Sequence, residues 1–410
     1  MTRAQREFFA VKTVREALEG FRPSRRTAPE RVALADAVGR TPATGVLAPH
    51  DLPGFDRATV DGYAVRAADT FGASEGLPSY LEVAGVVRMG RRADAVVVPG
   101  TAVEVATGAE LPAGADAVVM VEHTQTAMPG TIEVVRPTAP GDGVVHAYED
   151  ARAGAELVRA GRPLRAHDLA MLAAAGVVEL AVHARPRVAI VSTGDELVPP
   201  ATPVLEPGHV RDATAVALEA LVLEAGGVPA FLGIVPDEPG ALADVLRHAV
   251  ASSDVVVVSA GSSVGARDET ASAVSSLGPP GIWCHGLALR PGKPTLLAEC
   301  GGVPVIGLPG NPRSALVVFR LIGMRVVRAV GGCTAVPAEP RCSARLARDL
   351  PSAAGRLDVV QVRLDDGIAT PLFGSSALLS VLTGADGYVV VPEEATGLAA
   401  GSQVDVTVYR

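Results

Sequence analysis

Between Ser192 and Ser314 the chain presents four short polar strings, each at the end of an apolar run. Ser192-Thr193-Gly194-Asp195-Glu196 follows 188–191. Ser259-Ala260-Gly261-Ser262-Ser263-Val264-Gly265 follows 255–258, with Asp268 close behind. Arg290-Pro291-Gly292-Lys293-Pro294 follows the run around Leu287, and Pro309-Gly310-Asn311-Pro312-Arg313-Ser314 follows 303–308. Glycines let a backbone approach a ligand closely, and hydroxyls with cations suit an oxyanion. The carboxylates Asp195, Glu196, Asp237 and Asp268 each read singly as a cap or turn residue. Jointly, at strand-to-helix junctions, they suit a hard cation bound through oxygen, Mg²⁺ above all. The set points to an anionic ligand held with a metal ion. Arg290 and Lys293 are either a solvated surface pair or charges projected to one side, Lys293 being stiffened between Pro291 and Pro294.

These strings need a scaffold. Helical patterns at 212–225 and 239–252 alternate with the apolar runs, and 231–235 reads as a strand. Alternation of this kind predicts a parallel sheet covered on both faces, with ligands beyond the carboxyl ends of its strands. Asp212 reads as an N-cap, and Asp237 before Glu238-Pro239 reads as either a cap or a ligand. Pro312 suits the first turn of a helix running to about Val330. The amides of Gly310 and Asn311 there would welcome an oxyanion, with Ser314 facing the same place.

On either side the pattern changes. Residues 13–20 and 28–38 read as short helices, and 166–175 as a helix returning to pack beside the first. Short β-runs fill 80–135, making a β-rich insertion in a helical layer, the whole forming an elongated arm. The string from Asp51 to Arg66 reads on composition as turn chemistry. Runs at 359–364, 368–372, 388–391 and 404–408 predict a C-terminal β-barrel or sandwich. The expected domains are a helical layer at 1–48 and 140–182, a β-rich insertion at 49–139, an α/β/α domain at 183–332 and a β-barrel at 333–410.

Bulk properties exclude several classes. With 410 residues and 48% hydrophobic content the chain can bury a large core. A net charge of −9 and 3% aromatics argue against nucleic-acid binding. Cys284, Cys300, Cys333 and Cys342 show no CxxC spacing and the histidines no HxxxH pair, so no zinc site is expected. With no apolar run long enough for a signal peptide or membrane span, a cytoplasmic protein is expected.

Six strings occur in an order that resembles the molybdopterin molybdenumtransferase family, of the MoeA and gephyrin E-domain type. They are Asp61-Gly62-Tyr63-Ala64-Val65-Arg66, Thr107-Gly108, Gly114-Ala115-Asp116-Ala117-Val118-Val119, Ser192-Thr193-Gly194-Asp195-Glu196-Leu197, Arg290-Pro291-Gly292-Lys293-Pro294 and Gly307-Leu308-Pro309-Gly310-Asn311-Pro312. The resemblance implies a homodimer with its active site between subunits, and a central domain with the molybdopterin-binding (MogA-like) fold. It implies Mg²⁺-dependent cleavage of adenylated molybdopterin and insertion of molybdate, giving molybdenum cofactor and AMP. Molybdopterin adenylyltransferase and recipient molybdoenzymes are the implied transient partners. Matched to the family's site, Asp61, Thr107, Asp150, Glu196, Asp237 and Asp268 take catalytic places, the first three from the other subunit. Glu196, Asp237 and Asp268 take the metal. Arg290, Lys293, Ser314 and Ser375 fall where the family holds molybdate. Thr193, Gly194, Asp195, Ser259, Gly261, Ser263, Gly265, Gly310 and Asn311 form the pterin and phosphate loops.

Four stretches depart from the family's pattern: 143–148, Arg211-Asp212-Ala213-Thr214, the loop Ser259 to Gly265 at Ala260 and Ser262, and Gln361, where an arginine is expected. Loss of that arginine removes a charge-assisted oxyanion contact. An active insertase is therefore set beside a weakened paralogue that binds or carries molybdopterin or cofactor. A scaffold protein is the third reading, for which no extra domain or long linker is present.

Overall fold

The computed structural model describes residues 11–260 and 264–409, with the backbone alone for 264–268. The chain divides into two compact units. One comprises Met1–Thr44, Ala160–Arg165 and Glu179–Arg410; the other comprises Gly45–Arg159 and Ala166–Val178.

The first unit is built on a six-stranded sheet in the order Val228–Val235, Arg187–Thr193, Val255–Ser259, Val303–Leu308, Leu296–Cys300, Pro280–His285. The first four strands run parallel, Leu296–Cys300 runs antiparallel to both its neighbours, and Pro280–His285 again runs with the first four. Successive residues of a strand point to opposite faces, so a sheet covered on both sides reads as an unbroken apolar run. Val188, Ile190, Val255 and Val257 enter one core with Leu218, Val222 and Phe319. Ala189, Val191, Val256 and Val258 enter a second with Leu242, Leu246 and Val274. The result is the expected three-layer α/β/α domain.

Two of its helices start as the sequence predicts, whereas Ala241–Ser252 follows Gly240 with no side-chain cap, so Asp237 does not cap it. Asp212 caps Ala213–Glu224 by accepting from Ala215 N, and Pro312 occupies the first turn of Pro312–Val318. That helix continues through a π-helical stretch, Phe319–Gly323, into Met324–Val330. The run around Leu287 is a correction. Leu287 is buried, but it lies in no strand of the central sheet; Leu289–Arg290 instead pairs with Leu357–Asp365.

At the amino end, Thr13 and Glu16 form a capping box for Val14–Gly20. Val14, Ala17 and Phe21 then join the core containing Val188. Residues 28–38, expected as a helix, form the strand Pro29–Ala33 and one 3₁₀ turn, Leu34–Asp36. The strand pairs antiparallel with Glu179–His183, setting Val32 opposite buried Leu180. So short a segment gains more from a ladder partner than from an isolated helix.

The carboxyl-terminal region is a closed barrel. Leu357–Asp365, Ile368–Pro371, Arg341–Leu346, Gln403–Val408 and Gly387–Val391 pair in turn, and the last returns to the first. Closure removes the free sheet edges that a sandwich would leave. Leu346, Val362, Val389, Val391 and Val406 fill it.

The second unit carries a six-stranded sheet in the order Ala117–Met120, Gly62–Val65, Thr101–Val105, Ser79–Val86, Thr131–Val134, Thr124–Met128. A Cβ on Gly62 would run into the Val119 carbonyl, so the close pairing of these strands requires glycine there. The helix Ala166–Ala174 belongs to this unit, with Leu172 buried.

Candidate active site

The carboxyl ends of the parallel strands bring several predicted residues to one edge. Ser192 lies in register with Ser259, and Ser259 with Leu308, so the loops at 193–196, 237, 259 and 309–314 follow one another along the sheet. Thr193 and Ser259 are buried, whereas Asp195, Glu196 and Asp237 are exposed. The Asp237 amide donates to Asp195 Oδ1 at 3.0 Å, joining the first two loops. Gly194, at φ +138°, lies under the Glu196 carboxylate, which occupies the space a Cβ would need. Among the described residues no group of three carboxylate, histidine or cysteine side chains forms a ready metal cage. Gly261 and Ser263 lie outside the described residues. Gly265 and Asp268 fall on the helix Val264–Ser275, where only their backbone is described.

Beside this edge lies a cleft of about 760 Å³. Arg290, Lys293, Asn311, Ser314 and Ser375 all line it, as do Arg313 and Arg356. Four cations and no carboxylate thus face the same space, which makes it a site for an anion. The turn 290–294 is fixed at both ends. Leu289–Arg290 pairs with the barrel, while Lys293 O accepts from Leu287 N at 2.8 Å and Thr295 Oγ1 donates to Gly292 O at 2.6 Å. Behind the cations is Asp358, 3% exposed, with Arg356 at 2.9 Å and Arg290 at 3.5 Å. The amide of Arg313 donates to Ser376 O at 3.1 Å, which occupies one N–H of this helix start.

Sequence reasoning singled out neither Arg313 and Arg356 as cleft residues nor Asp358 as the carboxylate behind the cations. Arg313 stood in plain view between Pro312 and Ser314. Asp358 gave the only other signal, a charged residue beside an apolar strand run. Gln361 is 1% exposed within the barrel and lies outside the cleft lining.

The second unit holds Asp61, Thr107 and Asp150. Asp61 Oδ1 accepts from both Thr107 N at 2.7 Å and Thr107 Oγ1 at 2.8 Å. Those two bonds, the backbone one foremost, hold the Asp61 carboxyl below the usual carboxylate range. Asp150 is exposed and donates its amide to Leu52 O at 3.0 Å. The departing stretch 143–148 is well bonded: the Ala147 amide reaches Asp56 Oδ1 at 2.7 Å, and Val144–Val145 pairs with Arg57–Ala58.

Three family models match the chain: MoeA N-terminal region (domain I and II) over residues 10–176, "Probable molybdopterin binding domain" over 189–329, and MoeA C-terminal region (domain IV) over 343–409. Molybdopterin molybdenumtransferase 2 of Mycobacterium tuberculosis is 34% identical over 92% of this chain and 94% of its own length. The molybdopterin molybdenumtransferase of Bacillus subtilis is 32% identical over 93% and 90%. The crystal structure of the molybdopterin biosynthesis MoeA protein from Pyrococcus horikoshii superposes with a TM-score of 0.83 at 32% identity, covering 97% of this chain and 100% of that one. From the cleft, the three-layer domain and these matches together, the chain belongs to the MoeA family of molybdopterin molybdenumtransferases, transferases of molybdenum cofactor biosynthesis.

Proposed function

We propose that this chain cleaves adenylated molybdopterin with Mg²⁺ and inserts molybdate into its dithiolene, releasing AMP and molybdenum cofactor. The observation that carries this reading is the cleft, where Arg290, Lys293, Arg313 and Arg356 meet with no carboxylate in the lining. Beside it, the loops from Asp237 to Asn311 span three strand spacings, about 14 Å at the usual distance between strands. Such an edge suits an elongated ligand with phosphates in its middle. Thr193 and Ser259 offer hydroxyls to it, and the cleft receives the oxyanion at its end.

Mg²⁺ needs only one or two carboxylates when phosphates and water complete its shell. Glu196 and Asp237 fit that requirement, being exposed carboxylates free of ion pairs among the described residues. They would hold the ion with Asp268. When bound, it neutralises phosphate charge as a Lewis acid. The cleft cations hold molybdate against water, and Lys293, fixed at its backbone by Leu287 and Thr295, orients it. The chain works as a homodimer in the cytoplasm, with Asp61, Thr107 and Asp150 supplied by the second copy. Molybdopterin adenylyltransferase and recipient molybdoenzymes are transient partners.

The test is AMP release from adenylated molybdopterin, with Mg²⁺ and molybdate supplied, followed together with cofactor formation. Glu196→Gln, Asp237→Asn and Asp268→Asn are expected to lose release while remaining folded. Wild-type turnover by all three would remove the metal assignment. Mixing Asp61→Asn with Glu196→Gln should restore part of the activity, because a mixed dimer keeps one intact site. The second reading, a carrier, draws on Gln361, buried where it offers the cleft no charge. Tight pterin binding without AMP release would establish it.

A further inference from the structure

Arg290 and Arg356 share Asp358, but the guanidinium of Arg313 has no hydrogen bond or ion pair among the described residues. Its Nε is enclosed by protein and has no acceptor. Burial, and then the neighbouring Arg290, push its pKa down. An arginine carries five N–H donors, and enclosing one without an acceptor is destabilising. The backbone nevertheless holds this residue firmly, through Pro312 in the first helical turn and the Arg313 amide on Ser376 O. Its side chain lines the same cleft as Lys293, Ser314 and Ser375. A group held at its root and left unpaired at its tip is set for an acceptor that the protein does not itself provide.

We infer that Arg313 is an oxyanion-binding residue of the cleft, its guanidinium donating to the oxygens of the bound tetrahedral anion. This rests on the reading of the cleft as the molybdate site and adds a contact to it. Arg290 is partly neutralised by Asp358, and Lys293 offers a compact charge with no fixed plane. Arg313 alone combines a full, unshared charge with a planar fork, which matches two oxygens of one anion. The strand of the barrel that carries Gln361 contributes no cation at that residue. The loop 309–314, which lines the cleft, provides a guanidinium.

The experiment is equilibrium dialysis of the purified full chain against sodium molybdate, with bound molybdenum counted by mass spectrometry and melting temperature recorded in parallel. Arg313→Gln is expected to weaken molybdate binding at least tenfold, and Arg313→Lys to recover part of it. The melting temperature of Arg313→Gln should be unchanged or higher, since an unpaired guanidinium does not hold the fold together. Molybdate binding by Arg313→Gln equal to that of the unmodified chain would overturn the inference and leave the cleft reading standing. A lower melting temperature with a matching loss of binding would assign a structural role and overturn it too. No molybdate retained by the unmodified chain would overturn the cleft reading, and this contact with it.

Discussion

Arg290 Nη1 lies 3.5 Å from Asp358 Oδ2, and the backbones of the same two residues stand opposite each other in a parallel strand pair. Arg356 takes the other carboxylate oxygen at 2.9 Å. One buried carboxylate therefore fixes two cations of the cleft wall. Asp358→Asn keeps the shape and removes the charge. It should lower unfolding free energy by about 1–3 kcal/mol, because the cations it releases are partly solvated. Urea denaturation measures this, and molybdate binding should weaken in the same variant as Arg290 loses its position.

Asp61 and Thr107 make a pair whose consequence is read in pH. The two bonds from Thr107 stabilise the ionised Asp61 and depress its pKa. A depressed carboxylate lends stability above its unfolded pKa, and that stability is lost as pH falls through the folded value. Thr107→Val removes the hydroxyl donor and keeps the amide. The Asp61 titration, followed by carboxyl NMR, should then move part of the way up toward the ordinary range. A complete return would mean that the amide bond contributes nothing.

Asp212 closes a buried knot in the central domain. Its Oδ2 accepts from Ser192 Oγ at 2.6 Å and its Oδ1 from Ala215 N at 3.0 Å, and both Asp212 and Ser192 are buried. Asp212→Ala strips a helix cap and orphans a hydroxyl, at a cost of about 2–4 kcal/mol. Asp212→Asn should cost less, because an amide oxygen can still cap. Thermal and chemical unfolding of the two variants should separate clearly.

The cysteines supply a chemical readout of the core. Burial pushes the Cys284 thiol to about 11 and raises those of Cys300 and Cys333 as well. Cys342 is only partly enclosed. Iodoacetamide at pH 8 should therefore label Cys342 first. The other three should react only after denaturation, as peptide mapping will show.

Much of this architecture was legible because a doubly covered sheet writes itself as runs of valine. The strands at 187–193, 255–259 and 303–308 and the cap at Asp212 followed from local patterns alone. Residues 28–38 did not, since spacing over so few residues fits a helix as well as a strand, and the ladder to Glu179–His183 decided the outcome. The Leu287 run misled for a related reason. An apolar stretch reports burial and says nothing of which sheet, if any, it joins. Arg290 meets Asp358 from more than sixty residues away in the chain, and Arg313 and Arg356 meet in one cleft lining, which no local pattern records.

The short strand Leu289–Arg290 belongs by sequence to the central domain and by hydrogen bonding to the barrel. A chain stopping before Arg341 would keep every strand of the central sheet, the core around Val256 and Val258 and the whole turn 290–294. It would nonetheless lose the rail on which Arg290 is laid and the carboxylate that aims it. The barrel is thus the jig that gauges the width of the cleft. Any shift of that jig moves one jaw, while Lys293 and Ser314 stay behind with the other.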